Sequence, residues 1–176
     1  VTNDEKLARR VRLLRKHGAE PKYFHKTVGG NFRLDALQAA IVRTKLPYLN
    51  DWLSARRERA DRYASLFTDA SVTKPNVVLP SLPANHLHSY HQYVVRVPKR
   101  DELRAYLNTQ EIGTGIYYPV PLHLQECFSH LKYQVGALPH AEAAAAHTLA
   151  LPMYPELTEQ QQARVVSAIA DHVKSA

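Results

Sequence analysis

The stretch GGNFRLDALQAAIVRTKLPYLNDW, residues 29–52, decides how the rest of the chain is read. Its opening, Gly29-Gly30-Asn31-Phe32-Arg33, sets two glycines, an amide and a guanidinium just ahead of a helical pattern. Glycine lets backbone N–H groups approach an anion, Asn adds an amide donor, and Arg offers a planar fork suited to phosphate. A helix N-terminus immediately after it favours the same charge. The same residues also read as a flexible loop with a helix-capping Asn. Neither the Walker spacing nor the dinucleotide fingerprint is present. From Leu34 the apolar residues recur at helical spacing through Leu37, Ala40 and Ile41 to Leu46, and Pro47 kinks or restarts the helix. A second helix carries Leu49, Leu53, Ala60, Tyr63 and Leu66 on or near one face, with Arg56, Arg57, Arg59 and Arg62 mostly around it.

Upstream, Thr2 and Glu5 stand at capping-box spacing, and Leu7, Val11 and Leu14 define a helix face that His17-Gly18 closes. Residues 19–31 form the loop between. Downstream of Thr68 the texture changes. Val77-Val78-Leu79 is a short strand-like run, and residues 89–97, rich in Tyr and Val, read as a strand ended by Pro98. A helix is expected over 101–110, a short strand over 113–118, a proline turn at Pro119 and Pro121, and helices near 124–130 and 140–148. A linker follows at 151–155. Thr158 and Gln161 form a second capping box for a last helix reaching about residue 173. Helices first, then strands interleaved with helices, predict an α+β fold with a small antiparallel or mixed sheet and flanking helices.

The 176 residues suit about one domain, and 45% hydrophobic content is enough for a core. The formal charge of +7 is uneven: residues 1–62 carry 15 Lys/Arg against 7 Asp/Glu, and the remainder is nearly neutral. Such a zone either faces phosphates or is a solvated helix face. A nucleic-acid role rests on that charge alone and lacks a recognised motif, so no nucleic-acid partner is expected. One cysteine, Cys127, excludes a disulfide framework and a Cys-rich zinc module. No apolar run approaches the roughly 20 residues of a membrane span, so no membrane partner is expected. With no signal peptide in view, the expected location is cytoplasmic. The chain opens VTNDEKLARR without an initiator methionine, and the expectation is a fragment of a longer protein.

Two further constellations stand out. His86, His88 and His91 cluster, and His86 and His88 would share one face of a strand. No carboxylate or cysteine accompanies them nearby, so packing is the expected role and no metal site is assigned. In Tyr117-Tyr118-Pro119-Val120-Pro121-Leu122-His123 two prolines stiffen a segment that carries two phenols and an imidazole. That arrangement suits ligand binding, or is simply a proline-rich connection. Cys127 reads as an apolar helix position, core rather than nucleophile.

Together these segments resemble one family. GGNFRLDALQAAIVRTKLPYLNDW is similar to the Gly-x-Asn-x-Arg-Leu-Asp-x-Leu-Gln-Ala-Ala segment of the DegT/DnrJ/StrS sugar aminotransferases. IGTGIYYPVPLHLQECF (112–128) resembles their Gly-Thr-x-x-(His/Tyr)-Tyr-Pro-x-Pro-Leu-His motif. ALPHAEAAAAHTLALPMYPELTEQQ (137–161) resembles their closing Pro-x-Ala-Glu … Leu-Pro-Met-x-Pro-x-Leu-Thr segment, and residues 1–18 their segment just after the cofactor-binding lysine. The resemblance runs in family order along nearly the whole chain.

It implies the C-terminal part of a fold-type I, aspartate-aminotransferase-like protein. Residues 1–68 would be the end of the large cofactor domain with long connecting helices, and 69–176 a small C-terminal α/β domain. The implied activity is pyridoxal 5′-phosphate (PLP)-dependent transfer of an amino group, from glutamate, onto a nucleotide-linked keto sugar. A homodimer would serve cell-surface polysaccharide or deoxysugar biosynthesis. Gly30, Asn31 and Arg33 would face the partner subunit's cofactor phosphate, and Tyr117, Tyr118 and His123 the sugar nucleotide. No catalytic residue is assigned: no lysine here matches the Schiff-base lysine, which the resemblance places upstream of Val1, and Lys26 lies in the wrong segment. The chain alone is therefore expected to be inactive. The alternatives are a non-catalytic sugar-nucleotide-binding or dimerisation module of the same family, or a dehydratase member whose lysine is replaced by histidine.

Overall fold

The structure, a computed structural model, describes residues 1–175, and the chain divides into two compact units, Val1–Leu49 and the segment from Asn50 onward.

In the first unit, α1 spans Glu5–Leu14. Its cap is Asp4, not Thr2: Asp4 Oδ1 accepts from the amides of Lys6 (2.8 Å) and Leu7 (3.1 Å). Thr2 Oγ1 accepts only the Asp4 amide, at 3.1 Å, so the expected Thr2/Glu5 box is replaced by a one-residue Asp cap. α2 spans Ala36–Lys45, two residues shorter at its start than expected, because Asp35 caps the amides of Leu37 and Gln38. A 3-10 turn, Leu46–Tyr48, absorbs Pro47. Gly18 is the only buried residue before position 50. Leu7 and Val11, expected as a packed face, are 49% and 52% exposed. Two ten-residue helices and a loop are too little chain to enclose a core.

The second unit holds the core. α3, Leu49–Asp69, turns Ala60, Tyr63 and Phe67 inward at positions i, i+3 and i+7. β1 (Tyr93–Arg96) and β2 (Thr148–Leu151) pair antiparallel, with Tyr93 opposite Leu151 and Arg96 opposite Thr148. Val78 bridges the outer side of β1, and Gly115 the outer side of β2. The sheet is thus small and antiparallel, as expected. α4 (Arg100–Thr109) adds Leu103 and Leu107, and α6 (Glu159–Ser175) adds Val165, Val166 and Ile169. α5, Pro139–His147, leads directly into β2. Of the described residues, no helix is long and apolar enough to cross a membrane.

Several expected elements change. The strand expected over 89–97 begins only at Tyr93, because the carbonyls of Tyr90 and His91 bond to Arg56 instead of a neighbouring strand. The strand expected over 113–118 is reduced to the Gly115–Ala150 bridge; Pro119 and Pro121 just beyond have no N–H to extend a ladder. The helix expected near 124–130 is two 3-10 turns, Leu122–Leu124 and Glu126–Leu131, with extended Gln125 between them. Cys127 lies in the second turn and is exposed, which corrects its reading as core. β2 falls where a helix end and a linker were expected. Thr148 ends α5, its Oγ1 donating to Ala144 O at 2.7 Å, and the chain then extends along β1. The Thr158/Gln161 box forms as expected: the Gln161 amide donates to Thr158 Oγ1 (3.2 Å) and the Thr158 amide to Gln161 Oε1 (2.9 Å).

Candidate functional site

In the first unit the loop between α1 and α2 folds back along the end of α1. The His17 amide donates to Gly30 O (3.1 Å), the Gly30 amide to Leu14 O (3.0 Å), and the Lys26 amide to Gly18 O (2.8 Å). Both ends of this fold require glycine. Gly18 has φ +69, and a Cβ there would stand 1.9 Å from Thr27 O; a Cβ on Gly29 would stand 2.4 Å from Leu14 O. The glycines therefore serve the close approach of the chain to itself. The Gly30 N–H is committed to Leu14 O and is not available to an anion, and the side chains beside it offer donors instead.

Those side chains are Asn31 and Arg33, both exposed. Arg33 Nε donates to Asn31 Oδ1 at 2.8 Å. This bond aligns the amide and guanidinium, and no other hydrogen bond is described for Asn31 Nδ2 or the Arg33 Nη atoms. The pair is a cationic fork with several N–H groups in hand, the donor set a phosphate monoester takes. Nearby, Glu20 binds Lys26 (3.1 Å) and Arg9 (3.3 Å), and these two cations, Lys26 first, hold its carboxyl below the usual range.

In the second unit His123 is buried, placed by the 3-10 turn that follows Pro121. Its Nε2 lies 3.0 Å from Glu142 Oε1, and its ring meets Tyr133 edge-on at 5.8 Å. A carboxylate only accepts, so Nε2 carries the proton and Nδ1 is the nitrogen left for another partner. Glu142, on α5, also accepts from the amides of Gly136 (2.8 Å) and Leu138 (3.1 Å). The Gly136 N–H, then His123, keeps its carboxyl below the usual range. Glu142 was missed as a site residue; its only sequence signal is the Pro-x-Ala-Glu resemblance.

Tyr117 and Tyr118 are exposed, their rings edge-to-face at 5.9 Å. Tyr117 lines a pocket of about 340 Å³ together with His91, Gln92 and residues 113–115 and 150–153. Tyr118 and His123 do not line it. This pocket, too, was missed, because residues far apart in sequence build it. His86 and His88 lie in irregular chain rather than on a strand, and His88 Nδ1 accepts the Tyr90 amide at 2.9 Å.

The fold is that of the aminotransferases to which the chain is similar. The DegT/DnrJ/EryC1/StrS aminotransferase family model matches residues 1–170, and the chain belongs to that family. It is 48% identical over 171 residues to the pleiotropic regulatory protein of Geobacillus stearothermophilus, covering 97% of this chain and 45% of that protein. It is 38% identical over 171 residues to the dTDP-3-amino-3,4,6-trideoxy-alpha-D-glucose transaminase of Streptomyces venezuelae, covering 97% and 44%. The crystal structure of S. venezuelae DesV in complex with a ketimine intermediate superposes with a TM-score of 0.89 at 37% identity, covering 99% of this chain and 46% of that one. The chain spans about half the length of the relatives it matches.

Proposed function

We propose that the chain is the C-terminal part of a PLP-dependent aminotransferase that moves an amino group from glutamate onto a nucleotide-linked keto sugar. In this reading residues 1–68 are the end of the large cofactor domain and residues 69–176 the small domain. The protein works as a cytoplasmic homodimer in polysaccharide or deoxysugar biosynthesis. The observation that carries the reading is the Asn31–Arg33 fork, a phosphate-type donor set within the family segment. The family membership and the transaminase name of the S. venezuelae relative support the sugar-nucleotide substrate.

When bound, PLP supplies the electron sink for amino-group transfer. This chain's part is to hold and orient. Asn31 and Arg33, placed by Gly30, grip the cofactor phosphate. Tyr117 and Tyr118 shape the substrate side, and His123 meets the sugar nucleotide through Nδ1 while Glu142 fixes its ring. None of the chain's nine lysines matches the Schiff-base lysine of the family resemblance, so in this reading the amine for the cofactor's carbonyl comes from outside these residues.

The second reading, a non-catalytic or dehydratase member, is favoured only by the regulatory name of the G. stearothermophilus relative. The test compares the 176-residue chain with the full-length protein, each given PLP, glutamate and a keto-sugar nucleotide. Expected are amino sugar from the full-length protein and none from the chain alone. Turnover by the chain alone would refute the missing-amine argument, and an inactive full-length protein would favour the second reading.

A further inference from the structure

The segment after β1, the start of α4 and the last turn of α6 enclose a pocket of about 190 Å³. Four of its lining residues are apolar. Val97, just after β1, and Leu103, on α4, are buried, and Pro98 and Val173 complete the apolar part. A cavity of roughly 150 Å³ lined by apolar side chains holds benzene, so a single flat ring fits here.

The other three lining side chains all carry N–H groups. Asn76 brings its amide, on a turn closed by its backbone N–H donating to Thr73 O at 3.0 Å. His172 brings an imidazole, whose ring stacks on Tyr106 at 5.0 Å. One ring nitrogen of a neutral imidazole is a donor in either tautomer. No side-chain hydrogen bond is described for Asn76 or His172. Lys99 brings an ammonium with three donors, of which Glu102 engages one at 3.5 Å across an exposed pair. Among the described residues no Asp or Glu lines the pocket. A single cation balances a single negative charge, so a carboxylate matches this rim. A phosphate monoester, at roughly −1.5 to −2, would be undercompensated. The ammonium of an amino acid would meet Lys99 and find no acid.

We propose that this pocket binds a small aromatic monocarboxylate, its ring against Val97, Leu103 and Val173 and its carboxylate turned to Lys99, Asn76 and His172. Burial of the ring supplies the affinity, and the three donors fix its orientation.

The test uses the full-length, PLP-loaded protein and fluorine NMR of para-fluorobenzoate, whose line should broaden on binding at millimolar concentration and sharpen again with excess benzoate. Two analogues separate the parts of the ligand. The neutral isostere para-fluorobenzamide and the ringless carboxylate trifluoroacetate should each bind more weakly, by roughly tenfold or more. Two variants locate the site. Lys99→Met should weaken para-fluorobenzoate binding roughly two- to fivefold, as fits an exposed cation. Asn76→Asp, which puts a carboxylate where the amide stood, should weaken it by roughly tenfold or more. If Asn76→Asp does not fold, Lys99→Met and the two analogues decide. Absence of broadening overturns the proposal, and so does equal binding of either analogue. Binding that neither variant weakens lies elsewhere on the protein and overturns it as well.

Discussion

Asn31→Ala is the most informative single change in the first unit. The side chain has two jobs: Nδ2 is a donor for the phosphate, and Oδ1 holds Arg33 Nε at 2.8 Å. Truncation removes the donor and frees the Arg33 fork to rotate. A hydrogen bond to a charged group is worth about 1.5–3 kcal/mol. At 1.4 kcal/mol per tenfold, losing one such bond weakens PLP binding roughly 10- to 150-fold, and loosening Arg33 moves the result toward the upper end. Asn31→Asp separates the two jobs. It keeps an acceptor for Arg33 but replaces the donor with a negative charge, so it should bind PLP more weakly than Asn31→Ala. The assay is PLP retention by the full-length protein, titrated spectrophotometrically after removal of cofactor, with oligomeric state checked in parallel. Asn31→Ala with unchanged PLP affinity and unchanged assembly would show that the fork does not face the phosphate.

Three further outcomes are expected. Gly18→Ala should open the α1–α2 loop, because the new Cβ would meet Thr27 O at 1.9 Å and φ is +69; loss of amide-exchange protection at Lys26, whose N–H bonds Gly18 O, reads it directly. Tyr63→Phe removes the bond to the half-buried Pro152 carbonyl and should cost about 0.5–1.5 kcal/mol of stability in urea unfolding; no change would show that the hydroxyl is not anchoring the segment after β2. The Glu142 carboxyl is held below its ordinary value of 4.5, by the Gly136 N–H first and then His123. Its contribution is therefore fully present above that value and lost as pH falls through the lowered one. The Gly136 amide resonance should titrate below pH 4.5 and cease to do so in Glu142→Gln, and a midpoint at or above 4.5 would contradict the arrangement.

Local chemistry made much of the chain legible in advance. Helices α3 and α6 carry long apolar periodicity, and the Thr158/Gln161 box closes within four residues, so neither needs distant partners. The Asn31–Arg33 pair was found for the same reason: a two-residue spacing and a following helix are visible in the sequence itself. The errors share the opposite property. Residues 148–151 follow an alanine-rich run and carry no strand signal of their own; they extend because β1 lies beside them. Residues 89–92 look like strand, but Arg56, more than 30 positions away, takes their carbonyls. Cys127 looked apolar by its neighbours and lies exposed in a 3-10 turn.

What the sequence by itself determined, then, is each helix whose face and cap lie within a few turns, the α+β class, and the family to which the ordered motifs point. Only the tertiary structure decided that Gly30 uses its own N–H internally, that His123 leans on Glu142, and that Arg56 takes the carbonyls of Tyr90 and His91. The physical reason is range. A cap or an amphipathic face is set by neighbours in the chain, whereas a buried carbonyl or imidazole takes whichever donor or acceptor folding brings within about 3 Å, and sequence separation puts no limit on that partner.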